Sequence, residues 1–101
     1  MLQPILTRHA QRRLQQRGSR TGDVAIVVAY GDIEISARNG CRYLQLSNEE
    51  AAMLQQRAIL TATEVDRARR LVVLVDSTGK VVTLLKRCPN WAMIRRRRSR
   101  Q

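Results

Sequence analysis

The N-terminal residues have the spacing of an amphipathic helix. Leu6, Ala10 and Leu14 recur every four residues, so a helix turning by about 100° per residue places them in one narrow apolar stripe. Thr7 is a typical N-cap residue, and Gly18 is a typical residue for ending a helix. A first helix is therefore predicted between Thr7 and Gly18.

The next apolar run, residues 24–30, fits either a helix or a strand. Its valines follow the helical spacing i, i+3 and i+4, but its β-branched side chains also suit a strand. We predict a second helix, because Thr21 and Gly31 bracket the run as caps.

The hydrophobic period changes to two over residues 32–36, where isoleucines alternate with polar residues. The Asn-Gly pair at 39–40 is a strong hairpin signal, because both turn residues must accept a positive φ. The return strand is predicted over residues 41–46, with Arg42 and Tyr43 on opposite faces.

Residues 47–70 are interpreted as a polar helical insertion. Ser47 begins a capping box in which Glu50 is expected to reach back to the start of the helix. A further short helix is expected to begin at Thr61 or Thr63, and its charged residues are expected to form a solvated surface.

Two apolar runs, residues 71–75 and 81–85, are predicted to form a second hairpin through a turn at 76–80. Because both runs are apolar on both faces, they are expected to be central in the sheet and covered.

The order of these elements predicts an α+β fold. Two N-terminal helices would pack on one face of a four-stranded antiparallel sheet, with the helical insertion between strands 2 and 3. Predicted core residues are, in the strands, Leu44, Leu46, Val73, Val75, Val82 and Leu84, and, in the helices, Leu6, Ala10, Leu14, Val24 and Val28.

The chain of 101 residues allows one domain with a modest core, predicted over residues 1–94. Trp91 is expected to pack back on this body, and residues 95–101 to form a basic, disordered tail. No apolar run is long enough to span a bilayer, and early arginines argue against a signal peptide. A cytoplasmic protein without a membrane partner is expected.

The chain is strongly basic. It has 19 Lys and Arg against 8 Asp and Glu, a formal net charge of +11. Removing the five arginines at 95–98 and 100 leaves 14 against 8, so the body alone carries +6. Arginine binds phosphate through a planar fork of donors, so nucleic acid is the predicted partner, although a GC-rich genome would also favour arginine over lysine.

His9, Arg13 and Arg17 lie at the border of the first helix's apolar stripe. Cations at such a border can line a cleft for an anion. Cys41 and Cys88 lack metal-binding spacing, and His9 is the single histidine, so no metal or cofactor is predicted and both cysteines are expected to be buried free thiols.

The segment His9-Ala10-x-x-Arg13-x-x-x-Arg17-Gly18 resembles the opening of a widespread bacterial domain family of unknown function. Further matches cover most of residues 5–88: Asp23-Val24 to Tyr30-Gly31, Arg42-Tyr43 and Leu71 to Arg87. That family is similar to RelE-like and barnase-like ribonuclease toxins, whose RNA site lies on the sheet and the adjacent helix. Ser19, where the family prefers an apolar residue, and the 47–70 insertion depart from the pattern.

The resemblance implies a toxin-like endoribonuclease that cleaves RNA without a metal, by attack of the 2′-hydroxyl on the adjacent phosphate. It also implies a ribosome-associated RNA substrate and an acidic antitoxin partner. His9 would move the proton, because histidine titrates near neutral pH without special surroundings. Arg13, Arg17 and Arg42 would complete the catalytic set. Expected RNA-binding residues are Arg12, Tyr43, Lys86, Arg87, Arg95, Arg96, Arg97 and Arg98.

Structural roles are open alternatives for the same side chains. Arg17 could bond helix-end carbonyls, Arg42 could pair with Glu34 across the hairpin, and His9 and Tyr43 could serve only in packing. Two further function classes therefore remain beside the ribonuclease: a non-catalytic nucleic-acid-binding module and a basic protein-interaction module.

Overall fold

The computed structural model describes residues 4–87 as an α+β fold. The helices are α1 (Arg8–Gln16), α2 (Thr21–Tyr30), α3 (Asn48–Gln56) and α4 (Ala62–Arg69). The strands are β1 (Ile33–Ser36), β2 (Arg42–Gln45), β3 (Leu71–Val75) and β4 (Val81–Lys86). They form one four-stranded antiparallel sheet, as predicted, and the strand order is β1-β2-β3-β4. The predictions for Cys88, Trp91 and the 95–101 tail lie outside the described residues.

Helix α1 begins and ends at the predicted residues. The Thr7 hydroxyl accepts a hydrogen bond from the backbone N–H of Ala10 at 3.1 Å. Gly18 adopts a φ of +64°, and the N–H of Ser19 donates to the carbonyl of Leu14 at 3.1 Å. This left-handed turn satisfies carbonyls that the helix would otherwise leave unpaired.

The run after Gly18 is a helix, as predicted, but its cap lies one residue earlier. Arg20 is the N-cap, and the Asp23 carboxylate accepts a hydrogen bond from its backbone N–H at 3.0 Å. Val28 is 38% exposed, so its predicted place in the core is wrong. The buried side of α2 is centred between Asp23 and Val27, about 120° around the helix from Val28.

The first hairpin turns where the sequence predicts, with positive φ angles of 60° at Asn39 and 74° at Gly40. The capping of α3 is only half as predicted. The Ser47 hydroxyl accepts from the Glu50 backbone N–H, but the Ser47 N–H donates to Asp32 at 2.9 Å. Asp32 takes the place expected for the Glu50 side chain.

The 47–70 segment contributes to the main core. Helix α4 begins after Thr61, whose hydroxyl and Glu64 form a reciprocal capping box. It packs against α2, α3 and β3, and Val65 and Ala68 are buried in the same core as α2. The helices therefore complete the layer over the sheet, and only their outer faces are solvated.

Strand β4 lies at the edge of the sheet, which corrects its predicted central position. Part of that edge is covered by the chain before α1. The Val81 N–H donates to the Ile5 carbonyl at 2.8 Å, and the Thr7 N–H donates to the Val81 carbonyl at 2.9 Å. Helix α1 then packs along β4. Val82 is only partly buried, which corrects its predicted place in the core. The register shifts at this point, so Val81 pairs with Val75 and Val82 is left out of the pairing.

Most predicted core residues occupy the core between the helices and the sheet. Leu6 and Leu14 pack against it while partly exposed. The predicted residues that are buried there are Ala10, Val24, Leu44, Leu46, Val73, Val75 and Leu84.

The second hairpin turns around Asp76. Its carboxylate accepts hydrogen bonds from the Thr78 hydroxyl at 2.6 Å and from the N–H groups of Thr78 and Lys80 at 2.9 and 3.0 Å. The Thr78 hydroxyl is the main reason that the pKa of Asp76 lies below its usual value.

Acid is expected to weaken this turn. Because the pKa of Asp76 is lower in the folded state than in the unfolded state, its stabilising effect is present above the unfolded pKa and is lost as the pH falls through the folded pKa. An NMR titration should show the Thr78 and Lys80 amide signals moving with the Asp76 carboxyl, and no such step in Asp76→Asn. Amide signals that move at the usual pKa of aspartate would contradict this.

Candidate anion-binding site

A pocket of about 440 Å³ lies where β4 ends and β3 begins. We call it the cationic pocket, because its walls include Arg17, Arg67, Arg70 and Lys86. Helix α1 starts beside Val81 and runs along β4, so its C-terminal end reaches Lys86. Leu71 pairs with Lys86 in the sheet, and only Arg70 separates it from the end of α4. The fold thus brings the ends of two helices to one sheet edge.

Arg17 occupies the C-cap position of α1, immediately before the left-handed turn at Gly18. Its Nε atom is buried and has no hydrogen-bond partner among residues 4–87. An unpaired buried donor costs about 1–3 kcal/mol, and more when it is charged. Arg17 was alternatively expected to bond helix-end carbonyls. In the structure Arg67 makes such a bond instead, because its Nη2 atom donates to the Gly18 carbonyl at 3.3 Å.

Asp23 and Arg67 form an ion pair that joins α2 to α4. The Asp23 side chain is only 9% exposed, and the Arg67 Nε atom donates to its two oxygens at 3.3 and 3.2 Å. A carboxylate on the buried side of a helix needs such a partner. The pair holds the Arg67 guanidinium against the pocket wall.

The other two cations are less constrained. Arg70 pairs with Asp66 at 3.0 Å, but both side chains are more than half exposed, so the pair contributes little. Lys86 is exposed and makes no ion pair with the described part of the chain. With Asp23 as the single carboxylate among the lining residues, the wall carries four positive charges and one negative charge.

The remaining predicted residues of α1 lie outside the pocket lining. His9 and Arg12 are exposed, and Arg13 is partly buried. His9 lies eight residues before Arg17, a rise of about 12 Å along the helix. Arg13 lies midway between them on the same side.

Arg42 lies at the opposite end of the sheet. It is paired with Val75, whereas the pocket contains Leu71, and β3 rises by about 13 Å between those residues. Its Nη1 atom contacts a Glu34 oxygen at 2.9 Å, so the alternative pairing across the hairpin is the one observed. Of the four predicted catalytic residues, only Arg17 lines the pocket.

The remaining candidates are not among the residues that line the pocket. The Arg87 Nη1 atom donates to the carbonyls of Leu46 and Arg69 at 3.3 and 3.5 Å, which ties the residue after β2 to the end of α4. Tyr43 is partly buried on the face opposite Leu44. Cys41 is a free cysteine and is only partly buried, contrary to expectation. Arg95, Arg96, Arg97 and Arg98 lie outside the described residues.

Arg67 and Arg70 were not predicted as site residues, because the charged residues of α4 were expected to form a solvated surface. The signal that could have located them is Asp23. It falls on the apolar side of α2, where a carboxylate requires a cation from another element. The arginine-rich α4 is the natural source of that cation.

The arrangement of the cationic pocket is suited to binding an anion. Guanidinium and ammonium groups from three elements converge on a space of the size that holds small ligands. The lining residues include no histidine, cysteine or tyrosine, so Asp23, which is paired with Arg67, and Lys86 are the proton-transfer side chains that the pocket itself presents.

No family model, curated protein or solved structure matches the chain. Within residues 4–87, every helix is too short or too polar to cross a membrane.

Proposed function

We propose that this protein is an RNA-binding module that holds a phosphate group in the cationic pocket. The observation that carries the proposal is the buried, unpaired Nε of Arg17 in a wall with an excess of positive charge. Arg17 is only partly buried as a residue, so a rotation of its side chain would bring Nε to the pocket, where a phosphate oxygen would provide the missing acceptor. Such a charge-assisted hydrogen bond would be stronger than a neutral one.

The ion pair between Asp23 and Arg67 supports binding through pre-organisation. A guanidinium already held in place loses little conformational freedom when a ligand arrives. The cap and the turn at Gly18 fix the backbone of Arg17 at the end of α1, beside the pocket.

Replacing Arg17 with glutamine is expected to weaken RNA binding about ten-fold, because it removes one charge-assisted phosphate contact. The plot of log affinity against log salt should also become shallower, by about 0.7 for a single strand. Fluorescence anisotropy with labelled RNA would measure both. The five tail arginines would be changed to glutamine in every variant, so that their phosphate contacts do not mask the pocket.

Arg38→Gln is the matched control for this experiment. Arg38 is exposed in the β1–β2 turn, at the end of the sheet away from the pocket. Equal losses in Arg17→Gln and Arg38→Gln would mean that binding follows overall charge alone. Absence of RNA binding at low salt would refute the proposed function.

Endoribonuclease activity is the second candidate. Its specific support is the alignment of His9, Arg13 and Arg17 at i, i+4 and i+8, which places them along one side of α1, about 40° apart at each step. RNA held in the pocket and lying along α1 would pass Arg13 and His9. An acidic antitoxin and the ribosome are the partners proposed with this activity, and the cytoplasm is its proposed location.

The proposed cleavage is an intramolecular transfer of the phosphate with one proton removed and one proton supplied. His9 would take the proton of the 2′-hydroxyl, whose oxygen would attack the neighbouring phosphorus while the bond to the 5′-oxygen breaks. A proton from solvent or from the imidazolium would go to that leaving oxygen. The products would be a 2′,3′-cyclic phosphate and a 5′-hydroxyl end.

A further inference from the structure

The charges in the cationic pocket are compensated to different degrees. Arg67 is neutralised by Asp23, and Arg70 shares its charge with Asp66. Arg17 and Lys86 have no carboxylate within ion-pair distance in the described part of the chain. The pocket therefore presents two uncompensated positive charges and a third that is only partly compensated.

A terminal phosphate matches this charge better than an internal one. A phosphomonoester carries about −1.5 to −2 charges at neutral pH, whereas each backbone phosphodiester carries one. It also has three terminal oxygens that accept strong hydrogen bonds. Three donor groups of the pocket come from different parts of the fold: Arg17 from the end of α1, Arg70 from the end of α4 and Lys86 from the end of β4.

We infer that the cationic pocket recognises a phosphomonoester, namely the phosphorylated end of an RNA strand. The inference rests on the proposed RNA binding and specifies which phosphate the pocket takes. Arg17 supplies the buried donor, Lys86 the compact charge, and Arg70 an exposed guanidinium that its weak pair with Asp66 leaves able to turn inward. Arg67 remains in the wall, held by Asp23 and the Gly18 carbonyl.

The test compares three RNAs of one sequence: one with a 5′-phosphate, one with a 3′-phosphate and one with hydroxyl groups at both ends. The full-length chain with its tail arginines changed to glutamine would be titrated with each labelled RNA. At least one phosphorylated RNA should bind about ten-fold more tightly than the hydroxyl RNA, and the better one identifies the end that is read.

Pocket variants connect that preference to the pocket. The affinity for the better phosphorylated RNA divided by the affinity for the hydroxyl RNA should fall toward one in Arg17→Gln and in Lys86→Gln. In Arg38→Gln this ratio should stay at its wild-type value. Arg17→Lys retains the charge but lacks Nε, so it should lie between wild type and Arg17→Gln. Circular dichroism melting of every variant would verify that its fold is intact.

Competition distinguishes the sources of the same chemical group. A ribonucleoside monophosphate should displace the phosphorylated RNA, and the matching nucleoside should not. Displacement by inorganic phosphate at equal concentration would show that the pocket reads the phosphate without the attached nucleotide, and the inference would then fail for RNA ends.

The outcomes separate this inference from the function on which it rests. Equal affinity for all three RNAs, with a uniform loss in Arg17→Gln, would overturn the inference and leave RNA binding standing. A preference that survives unchanged in Arg17→Gln and Lys86→Gln would also overturn it. Failure to bind any RNA at low salt would remove both.

Discussion

If the chain is the proposed endoribonuclease, His9→Ala is expected to lower the rate of RNA cleavage about 10²–10⁴-fold, because in the proposed reaction His9 takes the proton of the 2′-hydroxyl. RNA affinity should change little, because His9 lies outside the pocket lining and a neutral imidazole contributes little to phosphate binding. Single-turnover cleavage of end-labelled RNA would measure the rate, and anisotropy the affinity.

The control for this variant is Arg17→Gln, which should weaken both cleavage and binding because the proposed contact of Arg17 with the phosphate is present before and during the reaction. Cleavage that is unchanged in His9→Ala would keep the ribonuclease but remove His9 from its mechanism. A wild-type protein that binds RNA and never cuts it, on or off the ribosome, would establish the binding module instead.

Arg67→Met is expected to lower the free energy of unfolding by about 2 kcal/mol, because it leaves the Asp23 carboxylate without its cation. Methionine keeps much of the apolar stem, so the loss should come mainly from the charge. The figure is smaller than that for a fully buried pair because the Arg67 side chain is 36% exposed. Urea denaturation would measure the change.

A double variant separates the charge from other effects of Arg67→Met. Asp23→Asn removes the unpaired charge and keeps an oxygen to cap α2, so Asp23→Asn/Arg67→Met should recover much of the stability lost in Arg67→Met. Arg70→Met breaks the exposed pair with Asp66 and should cost only about 0.5 kcal/mol. Equal losses in Arg67→Met and Arg70→Met would show that the pair with Asp23 is no more important than a surface contact.

Local signals located most of the secondary structure. The hydroxyl of Thr7, the glycine at 18 and the Asn-Gly turn at 39–40 act within a few residues of themselves, so their effects are visible in the sequence. The predictions of a buried Val28 and of a central position for β4 were wrong, because both depend on long-range contacts. Which side of α2 faces the sheet, and what covers the outer edge of β4, depend on contacts between distant elements.

The same difference between local signals and long-range contacts explains which parts of the candidate site could be predicted. The sequence pointed to Arg17 because a basic residue stood at the end of an apolar stripe, and to Lys86 because it followed a strand. It could not place them beside Arg67 and Arg70, because only the register of β3 with β4 and the packing of α4 against α2 bring those residues together. It also grouped Arg42 with Arg17, although the length of a strand separates them.

The pairing of the chain before α1 with β4 delays the packing of α1 during synthesis. Thr7 bonds to Val81 and Val82, and the hydroxyl contact spans 75 positions, so α1 emerges from the ribosome long before the strand on which it packs. The pocket likewise cannot form until Lys86 has been synthesised, because Arg17 and Lys86 both line it. A nascent chain therefore carries its basic first helix before the pocket is complete, and the proposed RNA binding through that pocket could begin only after β4 has been made.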